Sequence, residues 1–311
     1  MPWKDGYTIS DERSLPDGAL RWPHGKRCAV HIVADLSVAS GVEGITAADI
    51  ASDAAAFGLE EGLDLLLERL AKHALKATFA VPAVLAEIHP QRIRALVEAG
   101  HEVAAHGLKH EDVSRLSAEE ERARLDLTTA ILADVLGKRP AGWFSLPRQT
   151  DAFAGGTISA NTVGLLIEGG YSYLGNGLAD DIPHYWVADF ARRRVLLTLP
   201  YYYHFDDQFF CLFPPKGTGL ENPDMLLRNW RSELDAQYRR GRFFTMTVHP
   251  QHIGWSHRLG MLDDFLGHLT SLPGVWNPTG QACARYWLEH HPPAAMTLEP
   301  GIWRDYPGSL S

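Results

Sequence analysis

The sequence predicts an α/β fold, a parallel β-sheet covered by helices and closed or nearly closed into a barrel. Three observations point there. Short apolar runs alternate with amphipathic segments along most of the chain, as successive strand–helix units do. The 311 residues exceed one average domain yet fall within the span of a single α/β barrel. The apolar runs also end repeatedly on polar residues, as strands do at the catalytic rim of such barrels. An open doubly wound sheet is the alternative. A dinucleotide fingerprint would favour it, but GNGLAD (175–180) lacks the third glycine. No P-loop and no GxSxG elbow is present.

The elements follow in order. Residues 1–25 are polar and rich in Pro and Gly and read as an N-terminal arm. CAVHIVAD (28–35) is a buried strand. Leu59, Leu63, Leu66, Leu67 and Leu70 recur at helical spacing, which predicts a helix over 59–73. KATFAVP (76–82) is a strand stopped by Pro82. A helix over 91–100 ends at Gly100, and HEVAAH (101–106) is the next strand. Ser117 and Glu120 form a capping box ahead of a long helix ending near Gly137. AGWFSL (141–146) is a strand, 158–169 a helix and YSYLG (171–175) a strand, with weaker strands at 185–188 and 195–199. PYYYHFDDQFFCLFPPKGTG (200–219) reads as a long loop, and long loops in compact domains are usually functional or interfacial. A helix over 224–239, a strand over 242–250, a helix capped by Ser256 and running to about 270, a strand near Val275–Trp276 and a helix over 279–290 finish the pattern. The expected organisation is an arm (1–25), one barrel domain (26–295) and a tail (296–311).

Composition narrows the function. Lys plus Arg number 29 against 38 Asp plus Glu, a net charge of −9. An acidic surface repels phosphate backbones, so a nucleic-acid partner is not expected. The N-terminal twenty residues carry no apolar run like a signal peptide, and no stretch matches a transmembrane helix. Cys28, Cys211 and Cys283 are odd in number and widely spaced, so neither a disulfide framework nor a CxxC metal site is read. The expectation is a cytoplasmic protein that meets small molecules and no membrane.

The polar strand ends are the candidate site. Asp35 ends the first strand, His106 the third, with His110 four residues on, and His249 ends the strand at 242–248. The fourth strand leads to Arg148. A barrel would gather these residues at one mouth. Imidazole suits zinc, copper, iron and nickel, and a third protein ligand plus water completes a catalytic centre. A carboxylate ending an apolar strand needs a metal, an Arg or a backbone donor. Each residue alone has a plainer reading: solvated loop histidines, a helix cap for Asp35, a rim histidine at 249, a surface ion pair for Arg148.

Together the motifs resemble the polysaccharide deacetylase superfamily (NodB homology, carbohydrate esterase family 4), and within it the intracellular branch of allantoinase-like and cyclic imide hydrolase-like proteins. RWPHGKRCAVHIVADLS resembles the opening strand. KATFAVPAVLAEIHPQRIRALVEAGHEVAAHGLKH resembles the central block, with its T-F, A-G-H-E and H-G-x-x-H features. DDIPHYW and TVHPQHIGWSHRL resemble two later blocks. The likeness runs from about residue 21 to 290. It implies a distorted (β/α)7 barrel and hydrolysis of an amide C–N bond. It places Asp35 on the general base, His106 and His110 on the metal-ligand histidines and His249 on the general acid. Ser37 stands where a second Asp is often found, which implies weaker metal binding. FSLPRQTD (144–151) lacks the usual Arg-x-Pro arrangement, and Arg148 is the substitute.

The expected activity is a metal-assisted amidohydrolase, most simply zinc-dependent, acting on a small cyclic amide, imide or ureide. Asp35 serves either as base or as third metal ligand. Arg148 and Trp186 are the expected substrate contacts, because a flat ring stacks on aromatic side chains. Removal of an N-acetyl group from a sugar is the alternative reaction, and a non-catalytic degenerate family member the alternative class. A homo-oligomer, dimer or tetramer, is expected from the arm and the 200–219 loop.

Overall fold

The computed structural model describes residues 15–39, 42–145, 157–177, 180–189, 192–211 and 222–295. Among the described residues nine strands form one sheet: β1 (Cys28–Asp35), β2 (Thr78–Val81), β3 (Glu102–Ala105), β4 (Gly142–Trp143), β5 (Tyr173–Gly177), β6 (His184–Asp189), β7 (Arg194–Pro200), β8 (Phe243–Val248) and β9 (Val275–Trp276). Their order is β6-β7-β5-β4-β3-β2-β1-β8, with β9 on β1. Every pairing among these strands is parallel except the β6–β7 hairpin. Parallel neighbours need long crossovers, and helices such as Leu63–Lys72, Pro90–Glu98, Ala118–Leu136, Pro223–Arg240 and Ser256–Ser271 fill them.

Period-two alternation sorts the strand side chains into two cores. Ala29 and Val33 of β1, Ala80 of β2, Ala104 of β3, Tyr173 of β5, Leu197 of β7 and Phe243 of β8 share one cluster. Val30, Ile32 and Ala34 of β1 join the other with the helices. Side chains from both ends of the strand order meet in the first cluster, so the sheet wraps around it. Between β7 and β8 the described residues carry one isolated parallel bridge, Asp206 with Thr247. The chain leaving β7 thus reaches the flank of β8 where a full ladder would close a barrel. Among the described residues eight strands, β1–β5 and β7–β9, have a parallel partner, one more than the seven units expected.

Several elements depart from the sequence expectation for identifiable reasons. The helix expected from residue 59 begins with a π-helical turn, Gly58–Gly62, before Leu63–Lys72. A Cβ on Gly62 would stand 2.5 Å from the Pro250 carbonyl oxygen, so this turn presses directly on the chain after β8. The 158–169 helix starts only at Thr162, because the Ser159 and Asn161 N–H groups donate to the Thr162 and Ser159 hydroxyls in a side-chain turn. Trp255, not Ser256, is the N-cap of the helix Ser256–Ser271, without a side-chain bond. The loop after residue 200 contains a 3-10 turn, Tyr203–Phe205, and a short helix, Asp207–Cys211. Ser117 and Glu120 form the expected reciprocal capping box. Leu20 and Trp22, from the segment read as a polar arm, are buried in the inner cluster, and the Trp22 indole N–H donates to the Gly241 carbonyl.

Candidate active site

Three strand ends bring Asp35, His106 and His249 together. Asp35 closes β1, His106 follows β3, and His249 follows β8 as the N-cap of the turn Pro250–Ile253. The ladder holds the first two in step: the His106 N–H donates to the Val81 carbonyl, and Asp35 registers with Ala80. Asp35 Oδ2 lies 3.1 Å from His106 Nε2 and 3.5 Å from His249 Nε2. Its Oδ1 accepts the Ser37 N–H at 2.7 Å. One carboxylate therefore faces two imidazoles while a backbone donor fixes its rotation.

The imidazoles share a mode of anchoring. His106 Nδ1–H donates to the Phe144 carbonyl at 2.9 Å, and His110 Nδ1–H donates to the Ala39 carbonyl at 3.1 Å. His249 Nδ1–H donates to Asp207 Oδ1 at 2.8 Å. A carbonyl can only accept, so the tautomer is set and Nε2 is left as the working atom. The His106 and His110 ring centroids are 4.3 Å apart. The connecting turn achieves this with left-handed residues, Gly107 at φ 77° and His110 at φ 56°; histidine tolerates that region better than most side chains.

The electrostatics assign different states to these groups. Burial alone would raise the Asp35 carboxyl, but the His106 and His249 charges hold it well below the usual carboxylate range. Burial opposes the charge on His249, yet Asp206, Asp35 and the Asp207 hydrogen bond keep it protonated well above the usual histidine value. Burial and the neighbouring His106 push His110 down to about 4, so its Nε2 offers a lone pair at neutral pH. The arrangement holds an ionised carboxylate, a protonated imidazole and a neutral imidazole within one small site.

Asp206 and Asp207 were not singled out in the sequence. Asp207 is fully buried and accepts both the backbone N–H and Nδ1–H of His249. Asp206 accepts from the Tyr201 hydroxyl and the Gln208 N–H, and burial, added to by Asp207 and opposed by His249, raises it to about 7. The available signal was an acidic pair inside an otherwise aromatic run, YYYHFDDQFF. Among the described residues, Asp206, Asp207 and His249 are the trio whose ligand atoms all lie within 4.8 Å of one another. Asp207 backs the imidazole through its bonds to the His249 N–H and Nδ1–H, and the trio is close enough to hold an ion.

The fit to a divalent ion rests on the histidine pair. His106 Nε2 is buried and has no hydrogen-bond partner, despite its short approach to Asp35. A buried polar atom in that position suits a cation. His106 and His110 therefore fit as two ligands, with Asp35 beside them. Ser37 adds no carboxylate, and its N–H and carbonyl serve Asp35 and Gln251.

Trp186, expected to contact substrate, faces elsewhere. It pairs with Leu196 on β7, and both pack in the helix-side core, whereas their neighbours Tyr185 and Leu197 face the inner cluster. Strand alternation puts Trp186 on the outer face, away from the gathered histidines. Tyr201 is buried and bonded to Asp206. Arg148 lies outside the described residues.

The chain resembles known proteins in sequence and fold. Residues 53–172 match the polysaccharide deacetylase family. A peptidoglycan deacetylase of Helicobacter pylori is 25% identical over 266 residues, covering 76% of this chain and 87% of that protein. The crystal structure of a putative polysaccharide deacetylase from Mycobacterium smegmatis is 27% identical, with a TM-score of 0.72 over 90% of this chain and 94% of that one. A PuuE allantoinase structure shares the fold, with a TM-score of 0.75 over 90% of this chain and 95% of its own at 23% identity. No helix among the described residues is long and apolar enough to cross a membrane.

Proposed function

We propose that this chain, which carries a polysaccharide deacetylase domain, hydrolyses an amide C–N bond with Asp35 as general base and His249 as general acid. The observation that carries the reading is the single carboxylate held between His106 and His249. Water attacks the carbonyl carbon and gives a proton to Asp35. The C–N bond then breaks, and the leaving nitrogen takes the His249 proton. The broken bond yields a carboxylic acid and an N–H group, the latter an amine from a simple amide and an amide or urea nitrogen from an imide or ureide. Asp207 keeps His249 in the orientation and tautomer that present Nε2–H. His106 and His110 would hold a divalent cation, zinc being the expected one, which when bound polarises the carbonyl and makes water more acidic.

The substrate we favour is a small cyclic amide, imide or ureide. The reacting side chains are recessed: Asp35 is 15% exposed and His249 3%. A compact ring reaches such groups more easily than a polymer lying across the surface. The second reading is removal of an N-acetyl group from an amino sugar, and the names of the Helicobacter and Mycobacterium relatives favour it. Purified protein loaded with Zn²⁺, Mn²⁺ or Co²⁺ and offered succinimide, dihydrouracil, hydantoin, allantoin and N-acetylglucosamine oligomers separates the two. Ring opening is the expected result. Acetate release from the oligomers alone moves the assignment to the second reading, and no turnover of any compound contradicts both.

A further inference from the structure

We propose that Gln251 is a positioning residue that ties the chain after β1 to the turn after β8 and so fixes Asp35 between its two imidazoles. The inference rests on the hydrolytic reading above. Gln251 Nε2 donates to the Ser37 carbonyl at 2.8 Å. Ser37, from its other side, donates its N–H to Asp35 Oδ1 at 2.7 Å. Gln251 sits two residues beyond His249, in the turn Pro250–Ile253 that His249 caps. One side-chain amide thus links Ser37, whose N–H orients the base, to the backbone that carries the acid.

The link is braced from behind. The π-helical turn Gly58–Gly62 packs on this segment through positions without a Cβ. A Cβ at Gly58 would stand 2.7 Å from Gln251 Cβ, and one at Gly254 would stand 2.7 Å from Gly62 Cα. Single π-turns concentrate at functional sites. Here the turn gives the Gln251 stem a wall of backbone, and the Trp255 indole N–H closes the turn by donating to the Gln251 carbonyl at 3.2 Å. A glutamine that merely filled a half-exposed turn would need neither the Ser37 contact nor this wall. The base and acid come from strands adjacent in the sheet, β1 and β8, but their side chains project beyond the last ladder pair. Gln251 supplies the cross-link that the ladder no longer provides there.

The test uses Gln251→Met, which keeps length without the N–H, and Gly58→Ala, which pushes the Gln251 stem from outside. Two readouts are taken on the full chain: steady-state kinetics and the Ser37 amide by NMR. A short bond to a carboxylate gives that proton a downfield shift and slow exchange. In both variants kcat should fall about tenfold or more, as misplacement of reacting groups does, with KM within about twofold. The Ser37 amide should move upfield and exchange faster. An unchanged amide, or a changed amide with wild-type kcat, overturns the proposal. If the wild-type protein turns over no amide, the hydrolytic reading fails, and the amide resonance alone still decides whether Gln251 fixes the Ser37 N–H on Asp35.

Discussion

Asp207 grips His249 at two points, accepting its backbone N–H at 3.0 Å and its Nδ1–H at 2.8 Å. The first bond places the residue and the second sets the tautomer. Asp207→Asn keeps the shape but removes the charge and lets the amide donate, which favours the wrong imidazole tautomer. We expect kcat to fall by about 10²–10⁴, as loss of the orienting carboxylate does in other His–Asp pairs. KM should change little. Steady-state kinetics on a turned-over substrate checks this.

The Asp35 and His249 charges also predict how stability follows pH in protein stripped of divalent ions. Asp35 is held below its ordinary range by His106 and His249, after burial has opposed it. Its contribution is therefore present above the unfolded carboxyl value and lost as pH falls through the folded one. Burial opposes the His249 charge, but Asp206, Asp35 and Asp207 raise it. That contribution is present below the unfolded histidine value and lost as pH rises through the folded one. Both are complete between roughly pH 4 and 6.5, the two unfolded values. Urea midpoints across pH should peak in that window, and Asp35→Asn should shrink both limbs. A flat profile in the wild type contradicts the charge assignment.

Glu102 predicts a stability effect separable from chemistry. It lies at the other end of β3 from His106, buried, and accepts the Tyr173 hydroxyl at 2.9 Å and the Gln281 N–H at 2.7 Å. Burial raises its carboxyl despite these donors. Glu102→Ala orphans buried donors at about 1–3 kcal/mol each, so unfolding free energy should fall by about 3 kcal/mol. kcat at a temperature where the variant is folded should stay within about twofold. Denaturant melts and kinetics on the same sample check both.

The ligand set makes its own prediction. His106 and His110 offer two Nε2 atoms, and Ser37 offers no carboxylate where the family resemblance expects one. Ser37→Asp should tighten Zn²⁺ or Co²⁺ binding by about tenfold or more, since a further negative ligand strengthens such sites. His106→Ala and His110→Ala should each weaken it by at least as much. Calorimetric titration of stripped protein reads all three. Unchanged affinity in both alanine variants removes the cation from this pair.

Much of the frame was legible in the sequence because its signals are local. CAVHIVAD is β1 to the residue, the Ser117–Glu120 box starts its helix, and the strand ends at Asp35, His106 and His249 named the rim. What escaped depends on long-range packing. The π-turn at Gly58–Gly62 exists because glycine lets it press on Pro250, a contact nearly 190 positions away. Asp207 meets His249 only because the chain after β7 runs beside β8. Trp186 looked like a mouth residue until strand register fixed its face. Aromatic composition carries no information about which side of a sheet a ring occupies.

The account stands on Asp35 acting as the base beside His249, and one comparison tests it most directly: kcat/KM of Asp35→Asn against wild type, on whichever panel compound is turned over, with bound metal measured in both. Loss of about 10²–10⁴ in kcat/KM with metal content retained is the predicted result. Activity within a few-fold of wild type would contradict it.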